Sequence, residues 1–264
     1  MAGMLPFDAA SARRVARTYG TPDVVGQRAS TMELLDARPG ERVLDVGAGP
    51  GQLLEAIAAA VGPRGLAHGV DPSPSMVAMA RERCGARARV EERGIDGPGS
   101  LPDGPFDAVT CTQVLEYVAD LPGALHEIAR VLRPGGRVLL LDTDWDSVVW
   151  HVADRDRHRR VLDAWEAHLH DPRLPRTLGP RLRDAGFTDV TVDVVPLLNP
   201  AFDEDTYSAG MLEMIADFVV GRDDLDADEV RAWRTDVRER DDYFFSLNRY
   251  CFRADRPGGW TMPG

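Results

Sequence analysis

A glycine-rich segment follows the first short apolar run of the chain and could hold a ligand. In VLDVGAGPG the glycines are spaced by two, at Gly47, Gly49 and Gly51, and Asp45 lies two residues ahead of the first. This is neither the GxGxxG of dinucleotide sites nor the GxxxxGK of phosphate loops, and all 31 basic residues are arginines. A carboxylate beneath the loop repels phosphate and attracts a cation. The loop therefore suits a ligand that carries positive charge, and its glycines allow close approach of the backbone.

Two more carboxylates follow the next predicted strands. Asp71 ends the second strand, where an acidic side chain can accept hydrogen bonds from the hydroxyls of a ribose. Asp96 follows the third strand and can accept a hydrogen bond from an exocyclic amine. A ribose, an adenine, an ammonium and a sulfonium together satisfy these groups. The residues thus predict a site for S-adenosylmethionine.

Alternating strands and helices must position these residues. The apolar runs and the turns between them predict five strands separated by helices, at 42–46, 66–70, 88–91, 106–112 and 137–142. Such alternation is typical of a parallel sheet with helices on both faces, in which ligands bind at the carboxyl ends of the strands.

The pattern changes after the fifth strand. We expect helices over 145–170 and 175–185, a strand over 187–195, and an antiparallel partner for it over 243–252. The intervening residues 203–240 are too long for a plain loop and predict a helical lid.

Four ordered segments resemble the motifs of class I S-adenosylmethionine-dependent methyltransferases, in the branch of the quinone C-methyltransferases and related small-molecule enzymes. They are VLDVGAGPGQLLEAIA, GVDPSPSMVAMAR, GIDGPGSLPDGPFDAVTCTQVLEYVAD and EIARVLRPGGRVLLLD, within residues 41–142. The resemblance implies an α/β, Rossmann-like sheet of seven mostly parallel strands with helices on both faces. The implied organisation is a helical cap (1–40), a cofactor-binding core (41–198), a helical lid (199–242), and a last strand with a tail (243–264).

The same resemblance implies a set of cofactor contacts by position in the motifs. They are Gly47, Gly49, Gly51 and Asp45 for the methionine part, Asp71 for the ribose, Pro72, Met76, Asp96 and Gly97 for the adenine, and Thr112 and Gln113 near the methyl group.

The N-terminal cap offers three further candidates, Tyr19, Thr21 and Arg28. Tyr19 would place a hydroxyl over the cofactor, and Arg28 would pair with its carboxylate in a chain without lysine. The alternatives are helix packing for Tyr19 and a surface charge for Arg28.

The acceptor side is assigned to DTDWDSVVWH, which follows the fifth strand. His151 is the first candidate for a general base because of its ordinary pKa, and Asp144 is the second. Asp144 could instead cap the following helix. A metal-dependent reaction needs a further carboxylate after the fourth strand, where this chain has Thr112, so no metal is expected.

Composition limits the function classes. A net charge of −12 disfavours nucleic acid. No apolar run is long enough for a membrane span and no signal peptide is apparent, so we expect a cytoplasmic protein without a membrane partner. The sequence makes no prediction of oligomeric state.

These features predict a methyltransferase that acts on O, N or C of a small, hydrophobic organic molecule. One alternative is a methyltransferase fold that uses S-adenosylmethionine without transferring the methyl group. Another is a nicotinamide-dependent dehydrogenase, which the missing GxGxxG disfavours.

Overall fold

The computed structural model describes residues 9–259, which form a central sheet covered by helices. The terminal residues of the predicted cap and tail, 1–8 and 260–264, lie outside the described residues. The helices are α1 (Ala9–Thr18), α2 (Pro22–Leu35), α3 (Gln52–Val61), α4 (Pro74–Cys84), α5 (Leu121–Val131), α6 (Arg155–Glu166), α7 (Pro175–Asp184), α8 (Tyr207–Val219) and α9 (Ala227–Arg238). The strands are β1 (Arg42–Val46), β2 (Leu66–Asp71), β3 (Ala88–Glu92), β4 (Phe106–Thr112), β5 (Leu132–Thr143), β6 (Val149–Trp150), β7 (Thr188–Asn199) and β8 (Phe245–Asp255).

The sheet has the order β3-β2-β1-β4-β5-β8, and both β7 and the two-residue β6 pair with β8. Strands β1 to β5 are parallel, whereas β8 runs antiparallel between β5 and β7. The predicted Rossmann-like α/β sheet is confirmed, as is the antiparallel pair near the C-terminus. Strand β6 is an eighth strand that the sequence did not predict.

Apolar residues at helical spacing attach the helices to the sheet. Leu54, Ile57 and Val61 of α3 are buried and pack with Val43 of β1 on one face. Helices α5 and α7 bury their own apolar stripes on the other face. The sheet is therefore covered on both sides, as a mostly parallel sheet requires.

Register places the carboxyl ends of the central strands at one edge. Val46 of β1 pairs with Val70 of β2 and Cys111 of β4, and Thr112 pairs with Leu141 of β5. The segments that follow these strands therefore begin side by side, which positions the glycine loop next to the other predicted site residues.

A helical layer lies over this edge. Helices α6, α8 and α9 share one apolar cluster that includes Trp150, Trp165 and Trp233. Trp150 Nε1 donates to the Tyr243 hydroxyl at 3.1 Å, and this hydroxyl donates to Ser208 Oγ at 2.8 Å. These buried hydrogen bonds attach the start of α8 to the sheet.

One helix begins later than predicted, and the same helix packs with those of the expected lid. The helix expected over 145–170 begins only at Arg155, because Val149 and Trp150 pair with β8 and Asp154 caps α6 at the Arg157 N–H. The expected lid of 199–242 contains α8 and α9, but α6, from the range assigned to the core, packs with them. Within residues 9–259, no helix combines the length and apolarity needed to cross a membrane.

Candidate functional site

A cavity of about 820 Å³ opens at the carboxyl edge of the sheet, beneath the helical layer. Ligand sites usually have volumes of roughly 300–1,000 Å³. One end, the loop side, is lined by Gly47, Gly49, Asp71, Pro72, Met76 and Asp96. The other end, the lid side, is lined by Glu116, Tyr117, Trp145, Trp165, Tyr207, Met211 and Met214. Tyr19, Thr112 and Gln113 also line the cavity.

The glycine loop has a backbone that other residues would not tolerate. Gly47 has a φ of 72°, and a Cβ at this position would lie 2.2 Å from a methyl group of Val114. Gly51 has a φ of 82°, and a Cβ there would lie 2.8 Å from the backbone of Ala80 in α4. Gly51 thus serves close packing of the loop on α4 and does not itself line the cavity, whereas Gly47 and Gly49 do.

Asp71 lies on the loop side with its carboxylate fixed by the backbone. Its two oxygens accept hydrogen bonds from the N–H groups of Gly49 and Ser73, each at 2.9 Å. Burial raises the pKa of Asp71 in spite of these two hydrogen bonds. Each oxygen retains capacity for another hydrogen bond, which matches the two hydroxyls of a ribose.

Asp45 lies beneath the loop, as expected, but not on the cavity wall. It is 1% exposed, and its carboxyl oxygens make no hydrogen bond to the described residues. Burial, with a smaller contribution from Asp71, raises the pKa of Asp45 to about 7. Its position does not support the expected direct contact with an ammonium group, because the loop separates it from the cavity.

Replacing Asp45 with asparagine is expected to raise the free energy of unfolding at pH 8 by about 2 kcal/mol. The pKa change from 3.8 to about 7 makes ionisation of the folded protein costly above pH 7, by roughly 4 kcal/mol. Burial of the carboxamide offsets part of this gain, by about 1–3 kcal/mol. Because the unfolded chain also binds this proton near and below its own pKa of 3.8, the stabilisation should decrease as the pH falls from 7 and largely disappear by pH 4. Urea unfolding of the variant and the unmodified protein at pH 4 and pH 8 measures the change in the free energy of unfolding at each pH. An equal change at the two pH values would contradict the prediction.

Outside the cap, most of the other residues that were predicted to bind the cofactor line the cavity, and one does not. Pro72, Met76 and the exposed Asp96 line the cavity, whereas Gly97 does not. Thr112 and Gln113 line it at the end of β4. Gln113 has a φ of 56°, and its side chain accepts a hydrogen bond from Thr143 Oγ1 at 2.7 Å.

The cap residues border a second, smaller cavity of about 100 Å³ beside the glycine loop. Tyr19 lines both cavities, and Arg28 lines the smaller one while its Nη2 donates to the Tyr19 carbonyl at 2.5 Å. Burial raises the pKa of the Tyr19 phenol, which therefore stays protonated. The cap thus brings Tyr19 and Arg28 to the loop, whereas Thr21 is buried, lines neither cavity and donates its hydroxyl to the Thr18 carbonyl at 2.8 Å.

Arg249 of β8 also lines the small cavity, and sequence reasoning missed it. The residue is 2% exposed, its Nη1 donates to Gln27 Oε1 at 2.5 Å, and its guanidinium lies 4.7 Å from the ring centre of Tyr207. Its Nε and Nη2 are buried without a hydrogen bond to the described residues. The sequence did contain a clue, because side chains two residues apart lie on the same face of a strand. Arg249 shares its face with the apolar residues Leu247 and Cys251, which indicates that the arginine is buried.

Glu116 is the second residue that the sequence reasoning missed. It is 1% exposed, lines the lid side, and accepts a hydrogen bond from Trp145 Nε1 at 2.9 Å. Burial raises the pKa of Glu116 to about 7, more than Trp145 and Arg249 lower it. The adjacent Asp142 is fully buried, and burial together with Glu116 raises its pKa well above the ordinary value. The sequence feature that could have identified Glu116 is its position as the one acidic residue in the apolar run VLEYV after β4.

The structure does not bring His151 and Asp144 to the cavity. The His151 side chain is 47% exposed and contacts Asp242 at 3.0 Å. Asp144 forms hydrogen bonds with Arg176 at 2.9 and 3.0 Å and accepts one from the Asp146 N–H, so it has the capping role given above as the alternative. Across residues 9–259, no group of three or more His, Cys, Asp or Glu side chains is arranged to hold a metal ion.

Comparisons with known proteins agree with this geometry. A family model described as a methyltransferase domain matches residues 23–192. Demethylmenaquinone methyltransferase of Symbiobacterium thermophilum is 40% identical over 186 residues, which cover 61% of this chain and 73% of that protein. The chain spans about half the length of the first curated relatives that it matches.

Two solved structures illustrate the range of similar folds. Phosphoethanolamine N-methyltransferase 2 of Haemonchus contortus, with phosphomonomethylethanolamine and S-adenosylhomocysteine, has a TM-score of 0.62 at 19% identity, over 95% of this chain and 58% of that one. The [4+2]-cyclase SpnF has a TM-score of 0.56 at 25% identity, over 88% of this chain and 81% of that one. The family match, the motifs and the Rossmann-like sheet agree, and the chain therefore belongs to the class I S-adenosylmethionine-dependent methyltransferases, where it resembles the quinone C-methyltransferases.

Proposed function

We propose that this protein transfers the methyl group of S-adenosylmethionine to a nitrogen, oxygen or carbon atom of a small, largely apolar organic molecule. The observation that carries the proposal is one cavity that joins the glycine loop to an aromatic and methionine-lined wall containing the buried carboxyl of Glu116. The loop side has the groups for the cofactor, and the lid side has the groups for an acceptor. The net charge of −12 supports a small acceptor over nucleic acid.

The loop side fits the adenosine part of the cofactor. Asp71 would accept from the ribose hydroxyls, Pro72 and Met76 would contact the adenine, and Asp96 at the mouth would accept from its amine. The methyl group bound to the sulfonium is the chemistry that the cofactor supplies.

The small cavity fits the carboxylate of the methionine part. Arg28 and Arg249 both line it, and no acidic side chain lies on its wall within the described part of the chain. A carboxylate there would accept from the Nε and Nη2 groups that Arg249 leaves without partners. Arg249 thus joins Arg28 in the role that the sequence assigned to Arg28 alone.

Glu116 takes the place of His151 and Asp144 as the proposed general base. Methyl transfer from a sulfonium is an in-line displacement, so the protein mainly aligns the acceptor, excludes water and accepts a proton where one is released. Trp145 fixes the Glu116 carboxyl at the cavity wall. A carboxyl with a pKa of about 7 can accept and release a proton near neutral pH.

Calorimetry and methyl transfer test this function. We expect S-adenosylmethionine and its demethylated product to bind, NAD not to bind, and labelled methyl to pass from the cofactor to members of a panel of amines, phenols and quinols. Binding of NAD without S-adenosylmethionine would reject the proposal.

Replacing Asp71 with alanine is expected to weaken S-adenosylmethionine binding by about 1–3 kcal/mol, the usual loss for a hydrogen bond to a charged group. The Gly49 and Ser73 N–H groups would also lose their acceptor. Calorimetry of the variant measures the change, and thermal unfolding of the free variant controls for damage to the loop. Unchanged affinity in a folded variant would reject the ribose role.

A second function is rearrangement or cyclisation with S-adenosylmethionine bound but not consumed. The similarity to the [4+2]-cyclase SpnF over 88% of this chain favours keeping this candidate. Formation of S-adenosylhomocysteine separates the two functions, because only methyl transfer produces it in proportion to the product.

A further inference from the structure

Aromatic rings surround the lid side of the cavity. Tyr117, Trp145, Trp165 and Tyr207 line it. The indoles of Trp145 and Trp165 meet at 62° with ring centres 5.8 Å apart, so they form a corner rather than one flat wall. The faces of such rings attract cations, and cages of this kind bind ammonium groups in other proteins.

The charges on the lid side favour the same kind of ligand. Glu116 presents a buried carboxyl, and Asp120 adds a second, exposed carboxylate at the mouth. No Arg, Lys or His side chain lies on this side among residues 9–259; Arg93 lines the cavity beside Asp96 and pairs with Glu91.

Three basic side chains, His168, Arg222 and Arg249, lie behind the aromatic rings, and none of them lines the main cavity. The guanidinium of Arg222 lies 4.0 Å from the ring centre of Phe218, which packs on Trp165. His168 packs on Trp165 with ring centres 4.0 Å apart, and burial lowers its pKa to about 4, which leaves it neutral. Arg249 lies behind Tyr207, outside the wall of the main cavity. In the proposed function its charge is matched by the carboxylate of the cofactor.

We infer that the acceptor is an amine that arrives as an ammonium ion, which the aromatic rings and Glu116 hold for methylation at nitrogen. This inference rests on the proposed function and narrows its substrate class. A phenol or quinol would meet the opposite environment, since its reactive anion would face a carboxylate and the negative faces of aromatic rings.

Glu116 and the cofactor supply every group that the reaction needs. The ammonium N–H gives its proton to the Glu116 carboxylate, which leaves a neutral amine with a free electron pair. That pair forms the N–C bond to the methyl carbon as the C–S bond breaks, and the sulfonium becomes a neutral thioether. The product is a methylated ammonium ion, and Glu116 returns its proton to solvent when the product leaves.

A matched pair of probes tests the inference without methyl transfer. Choline and its uncharged carbon isostere, 3,3-dimethylbutan-1-ol, have the same shape and differ in charge. Their binding to the complex of the protein with S-adenosylhomocysteine is measured by tryptophan fluorescence. We expect choline to bind about tenfold more tightly, and we expect the difference to shrink in Glu116→Gln, in which the carboxamide can still accept from Trp145.

The outcomes separate this inference from the proposed function. Equal binding of the two probes, tighter binding of the alcohol, or binding of neither would overturn the amine assignment. Failure of S-adenosylhomocysteine to bind in calorimetry would overturn the proposed function instead. In a transfer assay, labelling of phenols but not of amines with the same carbon skeleton would also overturn the amine assignment and leave the methyltransferase function intact.

Discussion

Glu116→Gln is expected to slow methyl transfer by roughly 10²–10⁴-fold, the usual contribution of a positioned general base. Glutamine has the shape of glutamate and can accept from Trp145 Nε1, but it cannot take a proton from the acceptor. Affinity for S-adenosylhomocysteine should stay near that of the unmodified protein, because Glu116 lies on the lid side and the cofactor groups lie on the loop side. Single-turnover transfer of a labelled methyl group measures the rate.

The pH dependence gives the same prediction a second readout. Because the pKa of Glu116 is raised to about 7, the carboxyl is protonated below pH 7 and cannot act as a base there. The rate of the unmodified protein should therefore rise as the pH increases through 7, and this step should be absent in Glu116→Gln. His151→Gln is the matched control, since His151 is exposed and lies outside the cavity. A rate loss in the His151 variant with none in the Glu116 variant would restore the original assignment.

The sequence was sufficient for the fold because the signals that determine it are local. Apolar runs bounded by glycine and proline identified β1, β2, β4 and β7, and the alternation of strands with helices identified the parallel sheet. The two-residue β6 was not predictable, because only its pairing with the start of β8 makes it a strand. That pairing also explains the late start of α6.

Site residues, too, could be predicted only where a local sequence pattern determines their position. Gly47, Asp71 and Thr112 could be placed because each follows a strand whose end is visible in the sequence, and the ends of parallel strands meet at one edge. His151 was misplaced because it lies just after β6, where pairing with β8 keeps the chain away from the cavity. A residue beyond the last parallel strand can be placed only when the path of the chain is known.

Glu116 and Arg249 are site residues whose positions the sequence pattern could not identify. Each is an isolated charge among apolar neighbours, which is visible in the sequence, but neither its burial nor its orientation follows from local pattern. Arg249 reaches the small cavity only because β8 inserts between β5 and β7 and faces Gln27 of α2. Contacts between residues 222 positions apart have no local signal.

Two buried groups with atoms that lack hydrogen-bond partners among the described residues lie near the expected cofactor site. Asp45 beneath the loop and Arg249 beside the small cavity both have atoms that make no hydrogen bond to the described residues. Of the two, only Arg249 lines either cavity, and a ligand carboxylate there could accept hydrogen bonds from its Nε and Nη2 groups. For Arg249 that ligand group is the proposed cofactor carboxylate, and the proposal has a measurable consequence.

Arg249→Met is expected to weaken S-adenosylmethionine binding by about 2–5 kcal/mol, roughly 30- to several-thousand-fold. The affinity falls because the cofactor carboxylate would enter a buried cavity without one of its two guanidinium partners. Stability should fall as well, because the variant loses the hydrogen bond to Gln27 and the favourable interactions of the guanidinium with Tyr207, Tyr19 and Glu116. In spite of burial, these interactions raise the pKa of Arg249. Calorimetry and thermal unfolding measure the two effects separately.

A ligand without the amino acid part provides the matched control. 5′-Methylthioadenosine retains the adenine, the ribose and the sulfur but has no carboxylate, so its affinity should be the same for Arg249→Met and the unmodified protein. Asp71→Ala should weaken both ligands, because Asp71 lies on the loop side where the ribose is expected. If Arg249→Met weakens 5′-methylthioadenosine as much as S-adenosylmethionine, Arg249 acts through the shape of the cavity, and the carboxylate must bind elsewhere.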